Sequence, residues 1–143
     1  MPNTVYRQKS FAPDEILGHV AADGKVYESR FGPDKYVGWV ELSTGKIYEA
    51  RFGPDKHVGQ VDLNNGKVYR HKALAMDDYL GQVDAEGKFY RQKPLIPDEY
   101  VGQVKPMPGF ALGGAALMLL VLAKLEEEAE AAAKKSAEAS KPE

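Results

Sequence analysis

The sequence predicts a mainly β fold: a closed, shallow barrel of about ten short antiparallel strands, followed by one C-terminal apolar helix. Three observations predict it. Tyrosines recur every 21 residues, a (Leu/Val)-Gly-X-Val phrase recurs between them, and residues 109–123 carry no charge. We expect three segments: a hairpin-repeat barrel over 1–105, an apolar helix over 106–125, and a charged helical tail over 126–143.

Each 21-residue repeat is predicted to form one β-hairpin. A strand such as 37–40 leads into a polar turn, and a second strand such as 46–50 follows. The turns contain Asp23-Gly24 and Asn65-Gly66, which are strong hairpin signals because glycine adopts positive φ readily. The structural landmarks of the repeat are Tyr6, Tyr27, Tyr48, Tyr69 and Tyr90, with Gly18, Gly38, Gly59, Gly81 and Gly102.

The two ends of the repeat region are predicted to pair with each other. The chain begins with a second strand at 4–8, and the repeats end with a first strand at 100–104. Pairing these strands makes a fifth hairpin, which removes the open sheet edges and closes a ring with five-fold pseudo-symmetry. A solenoid is the structural rival, but it would leave both half-units without partners.

Strand alternation divides the side chains between two faces. Tyr27 and Phe31 share one face with Tyr48 and Phe52 of the next repeat, and Val26 lies on the other. We expect the tyrosine face to form the core, although the pattern leaves open which face lines the barrel. The strand glycines have two explanations: each tyrosine ring covers a glycine across the ladder, or the glycines let another element or a ligand approach the inner wall.

Composition and motifs exclude several functional classes. The first 105 residues contain 15 basic and 15 acidic side chains, so a nucleic-acid partner is not expected. Without cysteine there is no disulfide or thiolate metal site. His19, His57 and His71 lack metal-ligand spacing, and the recurring Pro-Asp dipeptides are interpreted as turn chemistry. No nucleophile, acid pair or phosphate loop stands out, so we expect no catalysis, metal or cofactor.

One set of residues is a candidate ligand site. Trp39 follows the strand glycine, where the other repeats have a histidine or a glutamine. The hypothesis is that these five residues form a ring at one level of the barrel and contact a lipid head group or a small ligand. The alternative is that the indole packs against its own sheet. The set is Trp39, His19, Gln60, Gln82 and Gln103.

Residues 3–104 resemble the β-flower proteins, small symmetric barrels of tandem hairpins, through the repeated (Leu/Val)-Gly-X-Val and X-Gly-Lys-(Val/Ile/Phe)-Tyr phrases. MORN and YD repeats contain similar hairpin phrases, but the second Gly-X-Gly of MORN units is missing here. The resemblance implies a barrel with a central apolar channel, often membrane-tethered, and a more remote likeness to the tubby and phospholipid scramblase barrels. It implies no activity.

The apolar segment 109–125 has two interpretations. A helix that is apolar all round is buried in protein or in lipid, and this length lies between that of a core helix and that of a spanning helix. We prefer a single-pass membrane anchor; the alternative is a helix that folds back and plugs the barrel. Gly113 and Gly114 fit both, and in a bilayer they would support homo-oligomers.

These inferences predict a non-enzymatic, membrane-tethered barrel that binds lipid or a membrane-protein partner. We expect it at the cell membrane with the barrel in the cytoplasm, because basic residues precede the apolar segment and acidic residues follow it. The N-terminus lacks the apolar stretch of a secretory signal. The alternative is a soluble cytoplasmic structural module whose own helix fills the barrel.

Overall fold

The computed structural model describes residues 3–9, 11–72, 76–93 and 95–139. The remaining residues of the three predicted segments, including 140–143 of the tail, lie outside the described residues. The strands are β1 (Asn3–Arg7), β2 (Glu15–Val20), β3 (Lys25–Glu28), β4 (Lys35–Val40), β5 (Lys46–Glu49), β6 (Lys56–Val61), β7 (Lys67–Arg70), β8 (Asp78–Val83), β9 (Lys88–Lys93) and β10 (Ile96–Lys105). A continuous helix follows, made of α1 (Phe110–Ala116), a π-helical segment (Leu117–Leu122) and α2 (Ala123–Ala139).

The ten strands form one closed antiparallel barrel, which confirms the predicted fold class. Each strand pairs with its neighbours in sequence, and β1 pairs with both β2 and β10. In the β1–β10 pair, Thr4 lies opposite Lys105 and Arg7 lies opposite Gly102. The two ends of the repeat region therefore complete the fifth hairpin and leave the sheet without an open edge.

The hairpin turns have the expected glycine chemistry. Gly66 has a φ of 78°, and the Lys67 N–H donates to the Asn65 side chain at 2.9 Å. The turns lie at one end of the barrel, which we call the turn rim (residues 21–24, 41–45, 62–66 and 84–87). The described residues of the connections between hairpins lie at the other end, which we call the linker rim (8–9, 11–14, 29–34, 50–55, 71–72, 76–77 and 95).

A β-bulge recurs at the junction between hairpins and was not predicted. Val26 lies opposite Gly38, but the next residue, Tyr27, lies opposite Tyr36, so Val37 has no partner across the ladder. The same register shift occurs at the equivalent places around the barrel. Because of the bulge, two consecutive residues, Val37 and Gly38, lie on the inner side, while Tyr36 and Trp39 both lie outside.

The inner face is the valine face, and the prediction of a tyrosine core was wrong. The residue before each repeat tyrosine has no exposed surface, whereas the tyrosines themselves are half-buried on the outer wall. Tyrosine prefers an environment in which its ring packs and its hydroxyl reaches water. The inward residues are Val5, Val26, Ile47, Val68 and Phe89, with Val20, Val40, Val61, Val83 and Val104 of the first strands.

Phe31 and Phe52, which were assigned to the same core face as the tyrosines, also lie elsewhere. Both side chains are fully exposed at the linker rim. They follow the last residues of β3 and β5, where the chain has left the sheet. Strand alternation therefore no longer determines where their side chains point.

The apolar helix fills the barrel. It enters at the turn rim, where Phe110 approaches Gly66, and it leaves at the linker rim. Residues 112–118 and 120–122 are buried within the core formed by the barrel wall. The structure therefore shows the plug arrangement and corrects the preferred prediction of a membrane-spanning anchor over 106–125. Within the described residues, no helix has the length and the apolar character that crossing a bilayer requires.

Small residues make this packing feasible on both sides of the contact. Sδ of Met118 lies against Gly59, and a Cβ at Gly38 would lie 2.9 Å from Leu119 Cδ1. On the helix, a Cβ at Gly114 would lie 2.5 Å from Val61 Cγ2. Close approach of the helix is therefore observed at two of the five strand glycines, whereas at Gly18, Gly81 and Gly102 the nearest atom to a built Cβ is the tyrosine carbonyl oxygen of the adjacent strand. The tyrosine rings lie on the outer face of the barrel wall. The part of each tyrosine that contacts a glycine is its backbone carbonyl.

Replacing Gly114 with alanine is expected to destabilise the barrel by roughly 1–3 kcal/mol, because the added methyl meets the stiff side chain of Val61. This cost should exceed the gain of about 1 kcal/mol in helix propensity. Urea unfolding of Gly114→Ala and of the Gly114→Ala/Val61→Ala double variant measures the free energies of unfolding. Comparing them shows how much of the cost comes from the contact between residue 114 and Val61.

Gly113→Ala is the matched control, since a Cβ there would lie 3.1 Å from its nearest contact, Val83 Cγ2, and needs only a small adjustment. We expect its effect to be clearly smaller. If Gly114→Ala were as stable as Gly113→Ala, the helix would not be packed against Val61.

Candidate functional site: the linker rim

The five predicted ligand residues lie on the outer wall at one level of the barrel. Each is paired across the ladder with the repeat tyrosine of its own hairpin: His19 with Tyr27 and Trp39 with Tyr48, for example. The His19 and Tyr27 rings stack at 4.9 Å, and the Trp39 and Tyr48 rings at 4.4 Å. The other pairs are Gln60 with Tyr69, Gln82 with Tyr90 and Gln103 with Tyr6.

The polar atoms of these residues bond to nearby turns and linkers. Trp39 Nε1 donates to Asp55 at 2.9 Å, His19 Nδ1 lies 3.1 Å from Asp34, and Gln103 donates to Asp14 at 3.4 Å. Gln82 and Gln60 instead donate to backbone carbonyls of the preceding hairpin turns. The residues point outward around a closed wall, so the ring does not converge on one ligand.

The Pro-Asp aspartates therefore link neighbouring units through side-chain contacts, a role that their interpretation as turn chemistry did not include. Asp98 also accepts a hydrogen bond from a neighbouring unit, in this case from the Tyr79 hydroxyl at 2.9 Å. Among the described residues, no group of three or more acidic or histidine side chains is arranged to hold a metal ion.

The linker rim carries a set of fully exposed apolar side chains that the sequence analysis missed. Exposing a large apolar side chain forfeits about 1.5–3 kcal/mol relative to burial. Scattered single residues of this kind are ordinary, but here one occurs at the tip of each of four linkers, at one end of the barrel. The tips are Phe11, Phe31, Phe52 and Leu95. Their recurrence at 20- to 21-residue spacing in three repeats was the available signal.

The second and third linkers are identical in sequence, Arg-Phe-Gly-Pro-Asp-Lys, and lie side by side. Gly32 and Gly53 have positive φ, and no atom lies within 4 Å of a Cβ built on either, so these linkers project away from the wall. In each linker the phenylalanine lies between an arginine and a lysine in sequence. We call residues 30–35 and 51–56 the paired loops.

Two ion pairs hold the helix where it leaves the barrel. Arg7 Nη1 donates to Glu128 Oε2 at 2.6 Å, and Arg70 pairs with Glu126. The hydrogen bond from Arg7 lowers the pKa of Glu128 below its ordinary value. Beyond Glu128, residues 129–134 of α2 are exposed. The linker rim thus has a charged helix at its centre and apolar tips around it.

Comparisons with protein-family models, with curated proteins and with solved structures gave no match to this chain.

Tyr79 is expected to titrate with a pKa of about 12, because burial and the hydrogen bond to Asp98 both favour its neutral form. A raised tyrosine pKa contributes stability that is complete below the unfolded-state value near 10 and is lost as the pH rises towards 12. Subtracting the alkaline absorbance titration of Tyr79→Phe from that of the unmodified protein isolates this group. A difference curve centred near pH 10 would show that Tyr79 does not bond to Asp98.

Proposed function

We propose that this protein is a non-enzymatic binding module that docks reversibly on a membrane surface through the paired loops. The observation that supports this proposal is the complete exposure of Phe31 and Phe52 on two adjacent loops of identical sequence. Aromatic rings enter the boundary between head groups and acyl chains, while arginine and lysine extend their charges towards the head groups. We retain the relation to the β-flower proteins as part of this proposal.

The proposed docking geometry is side-on. The acidic side chains of α2, such as Glu127 and Glu130, are exposed and would be costly to bring into a bilayer. Docking through the paired loops alone tilts the barrel, so that α2 stays in water. The loops thereby provide the membrane attachment that was predicted for a membrane-spanning helix. The apolar residues of that helix are already buried against the barrel wall.

The strength of docking follows from the size of the anchors. Two phenylalanines contribute at most about 3–6 kcal/mol of apolar burial. A fourteen-carbon acyl anchor would contribute roughly 10 kcal/mol, at about 0.8 kcal/mol per buried CH₂ group. Even such an anchor gives only marginal membrane binding, and the two phenylalanines contribute less. The expected association is therefore weak, reversible and dependent on lipid concentration.

Co-sedimentation with vesicles of phosphatidylcholine and phosphatidylglycerol tests the proposal. The unmodified protein should pellet with vesicles, and Phe31→Ser/Phe52→Ser should lower its partition coefficient at least tenfold, because both anchors are lost. Neither substitution should alter the thermal unfolding midpoint appreciably, since the rings contact little of the fold.

Phe11→Ser/Leu95→Ser is the matched control, because these tips are equally exposed but belong to other linkers. It should retain most of the vesicle binding. Equal losses in the two double variants would overturn side-on docking. No binding of the unmodified protein to any vesicle would overturn the membrane proposal and make a protein partner the occupant of the paired loops.

A further inference from the structure

A groove of about 640 Å³ opens at the linker rim beside the emerging helix. It lies between the helix and the wall formed by β4–β6, next to the paired loops. Its apolar lining comes from Val37 and Val58 on the wall and from Met118, Leu119 and Ala123 on the helix. The volume is within the range of about 300–1,000 Å³ typical of sites for small organic ligands.

The groove exists because the helix does not fill the symmetric barrel evenly. The residue before the strand glycine faces inward in each repeat. On the side of β2 and β10, Leu17 and Val101 are only 8% and 4% exposed. On the side of β4 and β6, the equivalent Val37 and Val58 are only partly buried. The helix therefore leaves an uncovered strip of apolar wall on one side.

The walls of this strip can adjust to an occupant. Met118 and Leu119 lie against Gly59 and Gly38, the places where the strand has no side chain. Methionine has a flexible, polarisable side chain that changes rotamer at low cost. A flexible alkyl chain can pack against such an apolar, adjustable wall.

The mouth of the groove has an excess of available positive charge. Glu28 and Glu49 each bond to a neighbouring arginine at 3.1 Å, and Glu126 pairs with Arg70. Lys35 and Lys56 also line the groove, opposite Glu28 and Glu49 across the ladder, and neither lysine forms an ion pair with any residue that the structure describes. These two exposed ammonium groups favour an anionic group at the mouth.

We propose that this groove binds the single acyl chain of an anionic amphiphile, with the chain against Val58 and Met118 and the head group between Lys35 and Lys56. The shared chemistry of the ligand is one alkyl chain carrying one anionic head. A free fatty acid and an anionic lysophospholipid both have it. The inference goes beyond membrane docking, since it requires no bilayer.

Equilibrium dialysis of the full chain against radiolabelled palmitate, below the concentration at which micelles form, tests the proposal. We expect saturable binding of one palmitate per chain. Hexadecyltrimethylammonium, which has a similar chain and a cationic head, should bind at least tenfold more weakly. A parallel series with lysophosphatidylglycerol distinguishes the two sources, because the tighter ligand identifies the head group that the mouth prefers.

Two variants locate the site. Val58→Trp fills the groove and should abolish saturable palmitate binding. Lys35→Glu/Lys56→Glu should weaken palmitate binding at least tenfold and remove the preference over the cationic amphiphile. Lys25→Glu/Lys46→Glu, at the ends of β3 and β5 next to the turn rim, is the matched control and should bind palmitate normally.

The experiments distinguish failure of the membrane-docking proposal from failure of the acyl-chain-binding proposal. Phe31→Ser/Phe52→Ser should lose vesicle binding and keep palmitate binding, because neither ring lines the groove. The groove proposal is overturned if the unmodified protein shows no saturable palmitate binding, or if the Lys35→Glu/Lys56→Glu and Lys25→Glu/Lys46→Glu variants bind palmitate equally well.

Discussion

The structure depends on the contact between an apolar helix and a barrel wall lined with glycine and valine. A barrel of ten strands encloses more space than the inward side chains of its short strands can fill. The helix supplies the missing core, and Gly38 and Gly59 let its side chains reach the wall. Because each hairpin would have little to pack against alone, the hairpin repeats and the helix share one core.

A single asymmetric helix inside a nearly symmetric wall makes the repeats inequivalent. The repeats supply the same inward positions five times, but the helix covers them unequally, burying Leu17 and leaving Val58 partly open. The paired loops lie on the less covered side of the barrel. The paired loops and the groove both lie on that side, which the symmetry of the sequence alone does not distinguish from the others.

The sequence was sufficient to predict the hairpins, the turn glycines and the closure of β1 on β10, because these depend on local chemistry and on pairing every edge. It was insufficient for the inner face, because alternation assigned Phe31 and Phe52 to the tyrosine face although both lie beyond the ends of β3 and β5, where alternation no longer holds. It also could not place the apolar helix, since lipid and a valine-lined barrel favour the same side chains. The exposed tips Phe31 and Phe52 were missed because strand alternation was extended into a linker.

The occupation of the barrel by the helix is tested most directly by engineered disulfides, because the chain contains no cysteine. A Cβ at residue 113 would lie 3.1 Å from Val83 Cγ2 on the inner wall, whereas Gln82 faces outward. Val83→Cys/Gly113→Cys should therefore form an intramolecular disulfide under mild oxidation, with or without vesicles, and Gln82→Cys/Gly113→Cys should not. Failure of the first pair to cross-link in a folded protein, or equal cross-linking of both pairs, would contradict a helix-filled barrel.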